Sequence, residues 1–259
     1  MNGVINVLKP PGMTSHDVVS FLRRELQEKR IGHAGTLDPQ AAGVLPVCVG
    51  QATRLAEYLG DASKEYLCQV MFGITTNTQD AWGEVVCHKD ASALSLEQIE
   101  QVIPDFLGEI TQIIPAYSAV KVNGVPLYKL ARQGRETKDI VRRVKIDYIR
   151  IVDYQAPVLT ILVGCSKGTY IRTLCHDLGQ RLGVGAHMSF LLRTRVGHFG
   201  LNNSRTVEEI SELSEKALLP PAECVRSLEK IVLSLEKIKK IRKGQQVQIE
   251  ARLTGPLAA

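Results

Sequence analysis

The stretch GHAGTLDPQAAGVLP, residues 32–46, places a single carboxylate, Asp38, in a loop rich in glycine and proline just before an apolar strand. Its glycines allow positive φ and let a flat ligand approach the backbone closely. Pro39 and Pro46 stiffen the stretch because proline fixes φ. An acid held in a stiff loop beside a strand end is where a protein would present a reactive group. Read alone, however, residues 36–39 are also typical of a simple turn, since aspartate before proline commonly initiates one.

Composition limits the classes of function. The 259 residues are 44% apolar and 23% charged, which is typical of a globular protein. A net charge of +5 suits a polyanionic partner without requiring one. The six cysteines form no Cys-x-x-Cys pair, so we expect buried reduced thiols and no metal site. No apolar segment is long enough to span a bilayer and no leader peptide is evident, so we expect a cytoplasmic protein without membrane contact.

Hydrophobic periodicity outlines the elements. Helices are predicted from an N-cap at Ser15, from a capping box at Ser95, over 127–133, and over 170–182. Runs typical of strands occupy residues 4–8, 44–49, 64–72, 141–152, 157–165 and 190–199. Strands and helices do not alternate regularly as in βαβ units. This order predicts an α+β fold with a mixed or antiparallel sheet.

The chain changes character from about residue 228. Five basic side chains crowd into residues 237–243, and the strand-like segment 247–249 follows. A solvated helix face is the common explanation of such a basic run. We interpret the region as the start of a small second module, which sets a domain boundary between residues 227 and 228.

Arg172 is the candidate partner of Asp38. The segment SKGTYIR, residues 166–172, follows a strand and opens a helix, so Arg172 lies in the first helical turn. A cation there is disfavoured by the helix dipole unless an acid is fixed beside it. If that acid is Asp38, the ion pair would keep the carboxylate ionised and aimed. A purely structural salt bridge is the alternative.

Several other side chains carry two interpretations. Tyr66 is either a packed aromatic residue or a ring that stacks on a nucleobase and relays a proton through its hydroxyl. His33 is either a capped loop histidine or a second planar group for a base. Asp80 lies in a polar turn that has no evident structural need for an acid. The chain has neither a phosphate-binding P-loop nor a Gly-x-Gly-x-x-Gly motif.

Taken together, the motifs resemble those of the bacterial enzyme family that converts uridine 55 in the TΨC loop of tRNA to pseudouridine. The ordered set of matches is specific and covers roughly residues 3–200. The matching segments are LKPPGMTS (8–15), residues 32–54, KEY (64–66), PAYSAVKVNG (115–124), residues 166–174 and RTRVG (193–197).

The resemblance implies a role for individual residues. Asp38 matches the catalytic aspartate of the family, Tyr66 its base-stacking tyrosine, and Arg172 the arginine paired with the aspartate. Five further positions fall in family motifs that bind the substrate nucleotide: His33, Tyr170, Leu191, Lys9 and Asp80.

The resemblance also implies an architecture. It predicts a mixed, largely antiparallel sheet with flanking helices as the catalytic domain, residues 1–227. Residues 228–259 would be a partial or truncated RNA-binding module of the PUA type, because the tail is shorter than that β-barrel needs. The expected partner is the T-arm stem-loop of tRNA, with no cofactor, no metal and no protein partner, and the chain is expected to be a monomer.

The implied reaction breaks the C1′–N1 bond of uridine, turns the base and joins C1′ to C5. It requires one ionised carboxylate that either attacks covalently or takes a proton from the sugar, and the sequence does not choose between these routes. Two other functions stay open: a guide-RNA-dependent pseudouridine synthase that needs partner proteins, and a non-catalytic RNA-binding or RNA-chaperone module.

Overall fold

A computed structural model describes residues 1–135, 139–248 and 257–258 of the chain. Its strands, numbered in chain order, are β1 (Gly3–Lys9), β2 (Ile31–His33), β3 (Ala42–Val49), β4 (Lys64–Phe72), β5 (Ile74–Thr76), β6 (Val85–His88), β7 (Gly108–Ile113), β8 (Lys121–Val122), β9 (Val125–Pro126), β10 (Val141–Gln155), β11 (Val158–Cys165), β12 (Ala186–Val196), β13 (Phe199–Gly200), β14 (Glu229–Lys230) and β15 (Leu257–Ala258).

Along the described part of the chain, the α-helices lie between the strands. They are α1 (Ser15–Glu25), α2 (Ala56–Asp61), α3 (Leu96–Val102), α4 (Leu127–Arg132), α5 (Ile171–Arg181), α6 (Val207–Leu213) and α7 (Leu235–Arg242). Five 3₁₀ turns accompany them at Gly50–Leu55, Ile103–Phe106, Leu201–Asn203, Ser214–Ala217 and Pro221–Val225.

One large sheet organises the molecule. Its strand order is β1-β3-β12-β4-β11-β10-β7, with β2 paired to β3 and β13 paired to β12. Within the described residues, β12 and β3 form the one parallel pair of this sheet, and the other pairs are antiparallel. The predicted α+β fold with a mixed, largely antiparallel sheet and flanking helices is therefore confirmed.

The burial of side chains explains why these segments form strands. Along β4 buried and partly exposed residues alternate strictly, as expected for a strand with one face on the core. In β3 seven of eight residues are buried, because the strand lies in the sheet interior and is covered on both faces. Helix α1 packs on β1 and β3 through Val18, Val19 and Leu22. Helix α5 contacts β12 and β4, and its residues Ile171 and Leu174 belong to the same buried cluster as residues of those strands.

Gly43 permits the close approach of β3 and β12. It has φ +116°, and a Cβ built there would lie 2.2 Å from the carbonyl oxygen of Arg193 on β12. Only glycine accommodates both that conformation and that contact. The parallel pairing of Arg193 with Gly43 brings the start of β3, and hence the loop that carries Asp38, against β12.

Several local predictions need correction. The N-cap of α1 is Thr14 and not Ser15, because Thr14 and Asp17 exchange reciprocal hydrogen bonds in a capping box. Strand β12 begins at Ala186, four residues before the predicted start. Cys87 is exposed, whereas the other five cysteines are buried as expected.

The basic run of the tail forms α7, in which no residue is buried. The predicted strand at 247–249 is absent at residues 247 and 248, and residue 249 lies outside the described part of the chain. The strand pairing observed in this region is instead the short parallel pair of β14 and β15.

Candidate active site

A cleft of about 960 Å³ opens beside the central strands of the sheet. Most of the residues that line it come from the loop between β2 and β3, the strands β4 and β12, the turn between β5 and β6, the segment after β7, and the segment that leads into α5. The helices α1, α2 and α4 contribute the others. Asp38, Tyr66 and Arg172 all line this cleft. Three positions that are far apart in the sequence are thus brought to one site.

The loop of Asp38 is fixed by side chains from other elements. Ser15 at the start of α1 donates to the Leu37 carbonyl at 3.2 Å and accepts from the Leu37 N–H at 2.9 Å. Arg193 on β12 donates to the Gly35 carbonyl at 3.2 Å and to the Val44 carbonyl at 2.7 Å. Both flanks of the aspartate are therefore anchored.

Lys9 fixes the same loop from beneath. Its side chain is fully buried, and its Nζ donates to the carbonyls of Pro10, Met13 and Pro39 at 2.9, 2.6 and 3.0 Å. These contacts use all three donors of the ammonium group. Burial, assisted by the charge of Arg193, lowers the pKa of Lys9 to about 8. Lys9 does not line the cleft, so this geometry makes it a residue that positions the loop.

Arg172 lies at the centre of the polar contacts in the cleft. Its side chain is only 6% exposed. One terminal nitrogen, Nη2, is 3.4 Å from Asp38 Oδ1 and donates to the Tyr117 carbonyl at 2.9 Å. The other, Nη1, is 3.6 Å from Asp80 Oδ2. The guanidinium also lies 5.9 Å from the centre of the Tyr170 ring. One cation thus links two carboxylates and faces an aromatic ring.

The electrostatic environment of Asp38 has opposing parts. Burial raises the pKa of its carboxyl above the usual value, the positive charge of Arg172 opposes this rise, and the negative charge of Asp80 adds to it. Yet the side chain keeps 38% of its surface open to the cleft. A partly desolvated carboxylate is a stronger base and nucleophile than a hydrated one, and the adjacent cation keeps it aimed.

Asp80 is held in a tight turn. Its Oδ1 accepts from the Thr78 hydroxyl at 2.6 Å and from the Trp82 N–H at 3.1 Å. The turn is joined to β12 through hydrogen bonds of the Met188 backbone with Gln79 and Ala81, each 3.0 Å. Asp80 is therefore fixed where its remaining oxygen meets Arg172.

The wall of the cleft beside Asp38 is largely apolar and aromatic. Tyr66 is 8% exposed, and burial raises the pKa of its phenol, so the hydroxyl remains protonated at neutral pH. Burial also lowers the pKa of His33, so its imidazole is neutral there. Leu191 and Tyr170 complete this wall. Such a surface can receive a flat, uncharged base.

Three comparisons place the chain among known proteins. Residues 23–171 match the TruB family pseudouridylate synthase N-terminal domain, and residues 172–238 match the tRNA pseudouridylate synthase B C-terminal domain. The chain belongs to the TruB family of pseudouridylate synthases. It is accordingly an enzyme of the isomerase class.

Relatives of the TruB family match most of the chain. A protein of Symbiobacterium thermophilum named tRNA pseudouridine synthase B is 51% identical over 90% of this chain and 79% of its own length. One of Carboxydothermus hydrogenoformans with the same name is 47% identical over 97% of this chain and 88% of its own length.

Solved structures agree with this assignment. A Cbf5-Nop10-Gar1 complex contains a chain that superposes with a TM-score of 0.74 at 33% identity, over 93% of this chain and 67% of that chain. An H/ACA RNP bound to a substrate RNA containing 2′-deoxyuridine contains another, with a TM-score of 0.73 at 31% identity, over 95% of this chain and 67% of that chain.

Within this TruB family site, the predicted residues fall into two groups. Those that line the common cleft are Asp38, Tyr66, Arg172, His33, Tyr170, Leu191 and Asp80. Lys9 stands apart, beneath the loop. No role for Arg193 was predicted beyond its place in the RTRVG match, although it is 1% exposed and anchors the loop at two carbonyls. Among the described residues, no cluster of three or more His, Cys, Asp or Glu side chains could hold a metal ion, and no helix is long and apolar enough to cross a membrane.

Proposed function

We propose that this cleft isomerises the uridine at position 55 in the T-loop of tRNA. Conversion of uridine to pseudouridine in tRNA follows from membership of the TruB family and from relatives named tRNA pseudouridine synthase B. The observation that carries the assignment of the site is the ion pair of Asp38 with Arg172 in a cleft with aromatic walls.

Asp38 is the catalytic carboxylate. It is the acid that combines partial exposure, a neighbouring cation and a loop fixed by three other side chains. Both routes, attack on C1′ and removal of a sugar proton, need the ionised form. Arg172 supports that form because its positive charge lowers the pKa of Asp38.

The substrate base leaves its stack to reach Asp38, which costs a few kcal/mol. Stacking on an aromatic side chain returns about 1–3 kcal/mol per base. Tyr66 serves this purpose, and His33, Tyr170 and Leu191 enclose the same pocket. Asp80 acts through its contact with Arg172. Lys9 acts through its contact with the loop of Asp38. We therefore assign both residues a positioning role instead of direct contact with the nucleotide.

The hydroxyl of Tyr66 has its own expected effect. Tyr66→Phe keeps the ring and its packing on β4 but removes a protonated donor from the cleft. We expect a folded protein whose single-turnover rate falls by about 10²-fold, the lower end of the range for general acid–base groups. Rapid-quench assays with saturating RNA measure this rate. A rate equal to that of the wild type would show that the hydroxyl has no role in catalysis.

The chain is proposed to work as a monomer without a protein partner, in the cytoplasm, with residues 1–227 as the catalytic domain and residues from 228 onward as part of an RNA-binding module. An alternative has support from the solved structures, because the structural relatives lie in a complex with Nop10 and Gar1 and in an H/ACA RNP. A guide-RNA-dependent synthase is therefore the second candidate.

One assay separates these functions. The purified chain is incubated with a bare T-arm stem-loop, and pseudouridine is mapped by nucleotide. We expect conversion at position 55 alone, and none in a matched stem-loop with cytidine at that position. Conversion that requires an added guide RNA would favour the second candidate. Tight binding without conversion, both with and without an added guide RNA, would contradict both candidates and favour an RNA chaperone.

A further inference from the structure

Trp82 is the only tryptophan of the chain, and it is 53% exposed at the edge of the cleft. A half-exposed indole on a folded surface leaves a large apolar area in contact with water. Because Trp82 lies beside the cleft, its indole ring is placed to contact a ligand there. Indole is a flat surface on which a nucleobase can stack.

The turn that carries Trp82 is rigid. The Trp82 N–H donates to Asp80 Oδ1 at 3.1 Å. Two hydrogen bonds, each 3.0 Å, close the turn between Asn77 and Glu84, one from the Asn77 N–H to the Glu84 carbonyl and one from the Glu84 N–H to the Asn77 side chain. The Ala81 N–H donates to Met188 on β12. The backbone that bears the indole is therefore held in place before any ligand arrives, which reduces the entropy lost on binding.

The same turn also contacts the polar centre of the cleft. Asp80 extends one oxygen towards Arg172 at 3.6 Å, and Arg172 contacts Asp38. One short segment therefore contributes Asp80 to the polar centre of the cleft and Trp82 to its rim. Because Trp82 and Asp80 are two residues apart and both line the cleft, a base stacked on Trp82 would be near enough to the base at the centre to belong to the same RNA strand.

We propose that Trp82 is a substrate-positioning residue that stacks on a loop base next to the target uridine. The inference rests on the proposed function, because it assumes an RNA loop as substrate. It adds a contact for the strand outside the pocket, where Tyr66 and its neighbours receive the target base. Stacking is sequence-tolerant, so Trp82 contributes to affinity and register more than to the choice of base.

The test is a double-mutant cycle between protein and RNA. Trp82→Ala, Trp82→Phe and a matched control, Val85→Ala on the same hairpin, are combined with T-arm stem-loops in which one loop base at a time is abasic. Val85 is 64% exposed and does not line the cleft. Dissociation constants are measured in an Asp38→Asn background, and KM and kcat in the wild-type background.

We expect Trp82→Ala to raise the dissociation constant on the order of 10-fold, as the loss of one stacked base predicts. The KM of Trp82→Ala should rise with a much smaller change in kcat. Trp82→Phe should lose less affinity for RNA than Trp82→Ala, and Val85→Ala should bind RNA like the parent protein. For one abasic RNA the penalty of Trp82→Ala should disappear. In the parent protein, the fluorescence of this single tryptophan should be quenched by the intact RNA but not by that abasic RNA.

An equal penalty on every RNA would overturn the proposal, since it would mean an indirect structural effect. No penalty on any RNA would do the same, as would a change in oligomeric state as the main consequence of Trp82→Ala. If wild-type protein does not convert the intact stem-loop, the proposed function fails. If it converts that RNA and Trp82→Ala behaves like the parent, this inference alone fails.

Discussion

Asp38→Asn should slow turnover on the T-arm stem-loop by at least about 10²-fold while the fold and the affinity for RNA remain. The substitution keeps the size of the side chain and its contact with Arg172, but it removes the negative charge. Without that charge there is neither a nucleophile nor a base at the position that faces the cleft.

The size of the loss separates the two routes that the sequence leaves open. Loss of a general base costs about 10²–10⁴-fold, whereas loss of a nucleophile costs about 10⁶-fold. Single-turnover rates of conversion measure the loss. The matched control is Asp153→Asn, an exposed carboxylate on β10 whose side-chain partner is Gln155, and it should be indistinguishable from wild type. A slowing of less than 10-fold in Asp38→Asn would place the essential carboxylate elsewhere.

Arg172→Ala should produce the second largest effect, a loss of about 10²-fold or more in turnover with RNA binding largely retained, because a displaced catalytic group loses its attack geometry. The variant leaves Asp38 and Asp80 facing each other without the cation between them. The positive charge that opposes the raised pKa of Asp38 is removed, so that pKa rises further.

The pH profile distinguishes this electrostatic role from a structural one. Because the reaction needs ionised Asp38, activity falls as the pH drops through its pKa. The acidic limb in Arg172→Ala should therefore move to higher pH, and Arg172→Lys should restore part of the shift. Arg181→Ala is the matched control, since Arg181 lies on the same helix, pairs with Asp105 and is 59% exposed. An acidic limb that stays in place in Arg172→Ala would reject the proposed pairing.

Local signals made much of the site predictable. The glycines and prolines around Asp38 mark a stiff loop, and the polar turn around Asp80 is evident from its composition. Strand β4 is recognisable as a largely apolar run that begins at Lys64. The position of Arg172 in the first turn of α5 follows from the strand that precedes it. The cleft brings these residues together as expected, and their catalytic roles remain predictions.

The features of the site that could not be predicted from the sequence depend on long-range contacts. Lys9 is assigned to substrate binding by its motif, but its three donors are used on carbonyls, one of them 30 residues away. Arg193 donates to the Gly35 carbonyl, which lies 158 residues earlier in the sequence. Hydrophobic periodicity does not predict a contact of this kind. The early start of β12 is hidden for a related reason: its first residues are buried without strict alternation.

The anchoring of the Asp38 loop has a consequence for biosynthesis. Its supports come from Lys9 and Ser15 near one end of the domain and from Arg193 near the other. A nascent polypeptide still attached to the ribosome cannot form all the contacts that anchor the Asp38 loop until β12 has emerged from the exit tunnel. The enzyme therefore acquires its activity late in translation, so that a prematurely terminated product lacking β12 would be inert towards RNA chemistry even if its first strands had already folded.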